Sequence, residues 1–170
     1  MKLTWFGGTA LRIHIGGEML VCDPAAAGAG VSAAELVSGA DQVFVRDVGL
    51  PQLDPLLWKP RRPAPVIDET EPPKVLVAAI APGSALVDAV GEPPLLILGG
   101  PPPPAGRWRT DAVVVAFDDR TAIAALAELT PRLIALAFAG PGLEAAIATI
   151  RDKLDGTALI ALEPGLAMEV

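Results

Sequence analysis

The chain has 170 residues, of which 52% are hydrophobic, with mean hydropathy +0.48, so one domain with a substantial core is expected rather than disorder. A formal net charge of −7 and a pI near 4.6 argue against nucleic acid or an anionic membrane surface as partner. The single cysteine, Cys22, rules out an intrachain disulfide.

No apolar run reaches the 18 or so residues of a membrane span. The opening "MKLTWFGG" lacks the apolar stretch of a signal peptide. With a lone thiol suited to a reducing compartment, these features lead to the expectation of a cytoplasmic protein.

The first 23 residues predict three short strands. Leu3 and Trp5 alternate with Lys2 and Thr4, and Leu11, Ile13 and Ile15 alternate with Arg12 and His14. Gly16-Gly17 signals a two-residue hairpin turn, and "EMLVCDP" runs back to a stop at Pro24. A short helix is expected over 32–37, with Ser32 as its cap and Glu35 completing a capping box. Gln42 to Val45 then reads as a strand entering the loop "RDVGLPQLD". Residues 51–73 are rich in proline and offer at most one short strand, "APVID".

"KVLVAAIA" (74–81) and "PLLILGG" (94–100) read as buried strands, joined onward by "PPPPAG". That proline run is expected to be an extended spacer; docking to a proline-binding domain is the lesser alternative. "AVVVAF" (112–117) is a third buried strand, followed by a helix capped at Asp118-Asp119, with Ile123, Leu126 and Leu129 on its apolar face and a stop at Pro131. "RLIALAF" (132–138) is another buried strand. Gly140-Pro141 opens a second helix whose apolar face is Leu143, Ile147, Ile150 and Leu154. "TALIAL" and "LAMEV" flank a Glu163-Pro164-Gly165 turn. Hairpins first and alternating strands and helices last predict an α/β layered sandwich.

The two ends of the chain resemble the metallo-β-lactamase fold, in particular the branch of predicted metal-dependent hydrolases near ascorbate-phosphate lactonase. The likeness rests on "MKLTWFGGTALRIHIGGEMLVCDP", on "ADQVFV", and on "LTPRLIALAF" with the closing "ALEPGLAMEV". The resemblance implies an αββα sandwich, here trimmed in the middle, spanning 1–170 as one domain. It also implies where a metal site would lie. The family's histidine after Gly7 is Gly8 in this chain; its H-x-H-x-D-H positions are Asp47, Gly49, Pro51 and Gln52; its strand-final histidine is Phe138. Only Asp23, which ends the hairpin strand, and Leu53-Asp54 after the motif remain.

Zinc and manganese hydrolases need imidazole nitrogens and a carboxylate fixed around the metal, so that bound water ionises near neutral pH. Glycine and proline supply no ligand, and Asp23 with Asp47 supplies only two carboxylates, a set open to a hard cation such as magnesium but one that makes no catalytic zinc site. A non-catalytic scaffold without cofactor is therefore expected, with a structural, interaction or small-ligand role. The alternative is a hydrolase whose site is rebuilt on Asp23 and Asp47 or completed by a partner. Phe138 is expected to plug the vacated space between the two sheets' loops.

Other residues have plainer readings. A His14–Cys22 nucleophilic dyad fails, because with Gly16-Gly17 at the turn His14 faces Met19 while Cys22 faces Leu11, on opposite faces of the ribbon. Asp68, Glu69 and Glu71 read as a solvated acidic loop, and "RWR" (107–109) as a surface anchor rather than an anion clamp. No phosphate-cradling glycine motif is present. Low charge content, 19%, leads to the expectation of an uncovered apolar face and a homodimer.

Overall fold

The structure, a computed structural model, describes residues 1–46, 48–62 and 74–170. The expected strand at 64–68 and the acidic residues Asp68, Glu69 and Glu71 lie outside the described residues, as does Asp47.

Three strands open the chain: β1 (Lys2–Trp5), β2 (Leu11–Ile15) and β3 (Glu18–Cys22). Gly16 and Gly17 both take positive φ, 59° and 80°, which lets a two-residue turn follow the strand twist. The resulting register sets His14 opposite Met19 and Leu11 opposite Cys22, as the turn predicts. A five-residue helix, α1 (Ala33–Val37), is capped by the Ser32 side chain, which accepts from the Glu35 N–H. It leads to β4 (Gln42–Phe44), parallel to β3. With the last strand, β11 (Ala167–Glu169), the first sheet has the order β11-β1-β2-β3-β4.

The second sheet is built from β5 (Val75–Ala81), β6 (Ser84–Ala89), β7 (Leu95–Leu98), β8 (Val113–Ala116), β9 (Leu133–Leu136) and β10 (Ala158–Ala161), in the order β10-β9-β8-β7-β6-β5. Strands β7 to β10 are parallel, joined through α2 (Asp119–Leu129) and α3 (Pro141–Arg151). The Asp118 carboxylate caps α2, accepting from the Thr121 N–H at 2.8 Å and the Thr121 hydroxyl at 2.9 Å. Strand β6 is the element that the sequence reading omits. Its polar members disguise it: Ser84 and Asp88 are both fully buried, and Asp88 is made tolerable there by Arg61, whose Nε lies 2.6 Å from its Oδ2.

The sheets share one core, in which Leu3, Ile13 and Leu20 of the first meet Val87, Ile97 and Val115 of the second. On the far side of the second sheet, Leu96, Val114 and Ile134 pack with Ala125, Leu126 and Ile150 of α2 and α3. On the far side of the first, α1 gives cover, Leu36 packing on Ala10 and Val21, with Phe6, Ala27 and Ala40 beside them. Arg12 Nη2 fastens α1 there by donating to the Glu35 and Leu36 carbonyls at 3.2 and 2.8 Å. The protein is thus a mixed α/β fold, with two sheets and three α-helices among the described residues. No helix among the described residues is long and apolar enough to cross a membrane.

The first sheet's open face is largely polar rather than apolar, since Lys2, Arg12 and His14 alternate out of the core. Exposed apolar side chains gather instead at the β4 edge, where Val43, Val45 and Val48 stand in solvent.

Candidate functional site

Strands β3 and β4 run parallel with Cys22 beside Phe44, so the residues just past their ends, Asp23 and Arg46, emerge as neighbours. Asp23 leaves β3 in the left-handed region (φ 47°, ψ 50°), which aspartate tolerates better than most residues. Its N–H donates to the Phe44 carbonyl at 3.0 Å, fixing the turn. Its carboxylate does not cap the 3-10 turn Pro24–Ala26 that follows but points at Arg46.

Three donors converge on that carboxylate. Arg46 N–H donates to Oδ1 at 3.1 Å, Arg46 Nε to Oδ2 at 2.6 Å, and the Thr9 hydroxyl to Oδ2 at 2.8 Å. Both charged side chains are more than nine-tenths buried. Arg46 Nη1 continues across to the second sheet, donating to the Gly83 carbonyl at 2.8 Å, and its guanidinium lies 5.0 Å from the centre of the Phe117 ring. Gly99 is required beside it: a Cβ there would collide with the Gly83 carbonyl and stand 2.7 Å from Nη1. The result is one cation, tethered to β4, tying the ends of both sheets.

None of the other described positions of the expected site donates to the Asp23 carboxylate. Gly8 has φ +51°, and a Cβ on it would run into the carbonyl oxygen of Ala26. Gly49 is exposed with open space around it. Pro51 and Gln52 form a strand-like edge on β5, the Pro51 carbonyl accepting from Ala79 N–H at 2.9 Å. Together with Arg46 and Gly83, Gly49 and Gln52 border a cleft of about 280 Å³. Asp54 has a turn-forming role, its Oδ1 accepting from the Leu56 N–H at 2.8 Å.

Phe138 requires a correction. Alternation along β9 turns Ala135 and Ala137 toward the core between the sheets, and so turns Leu136 and Phe138 toward the helices. Phe138 is half-buried against the helix side and does not fill the space between the sheets. Phe117, which ends β8 and packs on the inter-sheet core beneath Arg46, is the ring in that place.

The retained Asp23 does not fit a metal. A carboxylate has about four acceptor sites; three are taken here, and a guanidinium stands on the side a cation would approach. Among the described residues no three His, Cys, Asp or Glu side chains cluster closely enough to hold a metal ion. Cys22 points into the core, and burial, with the Asp23 carboxylate beside it, pushes its thiol pKa far up, so it is no thiolate nucleophile. His14 is exposed on the opposite face.

The sequence reading passed over Thr9, Arg46, Gly83, Gly99 and Phe117. One signal was available: an aspartate kept at the end of a buried strand needs a counter-charge, and Arg46 is the cation that ends the neighbouring strand. The "RWR" segment also differs from expectation. Trp108 is buried, its Nε1 donating to the Pro55 carbonyl at 2.9 Å, so it is an internal anchor rather than a surface one.

Comparison with known proteins gives neither a matching family model nor a matching curated relative.

Proposed function

We propose that this chain is a non-catalytic protein of metallo-β-lactamase-like fold, in which the Arg46 guanidinium takes the place of a metal. Its role is to hold a ligand or a partner, not to hydrolyse. The observation that carries this reading is the buried Asp23–Arg46 pair, with the Thr9 hydroxyl completing the carboxylate's partners. A tethered cation neutralises Asp23 and bridges the two sheets, which is structural work, and it offers no ionisable water. The two-sheet architecture with helices outside both sheets supports the fold assignment.

The alternative, a hydrolase rebuilt on Asp23 and Asp47, requires Asp23 to release Arg46 and leave a guanidinium buried without its partner. A reducing, cytoplasmic setting agrees with the single buried free thiol. A second copy of the chain is a candidate partner, supported by the exposed valines of the β4 edge.

Elemental analysis by plasma emission, after incubation with zinc, manganese and iron salts and gel filtration, tests the reading. Less than a tenth of an equivalent of each metal per chain is expected. One equivalent bound in the wild type and lost in Asp23→Asn would refute it.

A further inference from the structure

The segment from Leu56 to Arg62 faces the 3-10 turn Arg107–Asp111 across a groove of about 1000 Å³, which shares no lining residue with the cleft beside Arg46. Two hydrogen bonds hold the walls in place: Trp108 Nε1 and the Gly106 N–H both donate to the Pro55 carbonyl, at 2.9 and 3.0 Å. Trp58 meets Trp108 edge to face, ring centres 4.8 Å apart. Trp108 is buried and Trp58 half-buried, so Trp58 is the ring whose surface the groove retains.

Around that ring the charge of the protein is locally reversed. The chain has 20 acidic and 13 basic residues, yet the groove is bordered by Lys59, Arg61, Arg62 and Arg107 against one acid, Asp111. Arg61 is held by Asp88. The side chains of Lys59, Arg62 and Arg107 make no ion pair or hydrogen bond among the described residues. Cations that have no partner among the described residues, beside a fixed aromatic surface, match a ligand that brings both a ring and a negative charge. An inorganic anion would leave the apolar floor unused. A nucleic-acid strand would meet a molecule of net charge −7 with only three free cations to hold it.

We propose that this groove binds a small aromatic anion, a planar ring carrying a carboxylate, sulfonate or phosphate, with the ring against Trp58 and the acid group on Arg62 and Arg107. This inference does not depend on whether the Asp23 site takes a metal.

Titration of the full chain with anilinonaphthalene sulfonate, read by quenching of tryptophan emission, tests it. Saturable one-to-one binding is expected, displaced by naphthoate and not by inorganic phosphate or a short single-stranded oligonucleotide. Arg62→Gln with Arg107→Gln, both surface changes, should weaken binding by about tenfold or more, since each removes a charge-assisted contact. Trp58→Leu should abolish the quenching. Unsaturable binding, equal displacement by phosphate or the oligonucleotide, or unchanged affinity in the double arginine variant would each overturn the proposal.

Discussion

Arg46 Nε lies 2.6 Å from Asp23 Oδ2, with only 9% and 8% of the two side chains exposed. Such a pair is of modest net value compared with a well-packed apolar replacement, but breaking it from one side is costly. Arg46→Met strands a carboxylate in the core, and urea unfolding should show a loss of about 3–5 kcal/mol. Arg46→Lys should recover little, because one ammonium cannot serve Asp23 and the Gly83 carbonyl together. Asp23→Asn combined with Arg46→Met removes both charges and should be markedly more stable than Arg46→Met alone. If the single and double variants unfold together, the pair is not the tie described here.

A histidine placed at position 8, as the proposed resemblance would have it, should not be accommodated. Gly8 sits at φ +51° with the Ala26 carbonyl in the space a Cβ would need. Either the Pro24–Ala26 turn moves or the backbone at Gly8 does. Gly8→His and Gly8→Ala should therefore both cost upwards of about 2 kcal/mol, from left-handed strain plus steric displacement. The measurement is urea unfolding of the two variants. Near-native stability for Gly8→His would mean that the loop still accommodates a ligand side chain.

The sheets and helices were largely legible because their signals are local. Alternation of Leu11, Ile13 and Ile15, the Gly16-Gly17 turn, the Asp118 cap and the Gly140-Pro141 start each act within a few residues. Strand β6 was not legible, because Asp88, buried near its end, is neutralised by Arg61, 27 positions away. The site was half legible. That the chain has a single histidine and few clustered acids can be read along it, but what surrounds Asp23 cannot, since Thr9, Asp23, Arg46 and Gly83 meet only through the pairing of β3 with β4 and the packing of the sheets. Phe138 and Phe117 show the same limit. Which of two strand-ending rings faces inward depends on the pleat, and a shift of one residue exchanges the faces.

That exchange gives a comparison between two phenylalanines. Both rings are half-buried, Phe117 against the inter-sheet core and beneath the Arg46 guanidinium, Phe138 against the helix side. Phe117→Ala loses apolar burial and the cation–ring contact together, and should cost about 3 kcal/mol. Phe138→Ala removes packing alone and should cost roughly half as much. Parallel urea curves decide it, and the opposite ranking would place Phe138 in the role assigned here to Phe117.

Cys22 gives a pH signature. Its thiol is buried in the core beside the Asp23 carboxylate, and burial first, then that negative charge, raises its pKa far above the ordinary thiol range. The folded state therefore holds the proton more tightly than the unfolded chain does. Stability from this source is fully present below the pKa of a free thiol, about 8.5, and falls as pH rises beyond it, because only the unfolded chain can then ionise. At one and a half units above, near pH 10, the loss should be about 2 kcal/mol. Cys22→Ala lacks the thiol and escapes that loss, although it pays in packing at every pH. The wild-type advantage over Cys22→Ala, measured by urea unfolding at neutral pH and near pH 10, should thus shrink by about that amount. The native thiol should also resist an aromatic disulfide reagent until the protein unfolds. A stability gap that stays constant with pH, or rapid reaction of the native thiol, would show that Cys22 is open to water and that the Asp23–Arg46 region is looser than the hydrogen bonds around it describe.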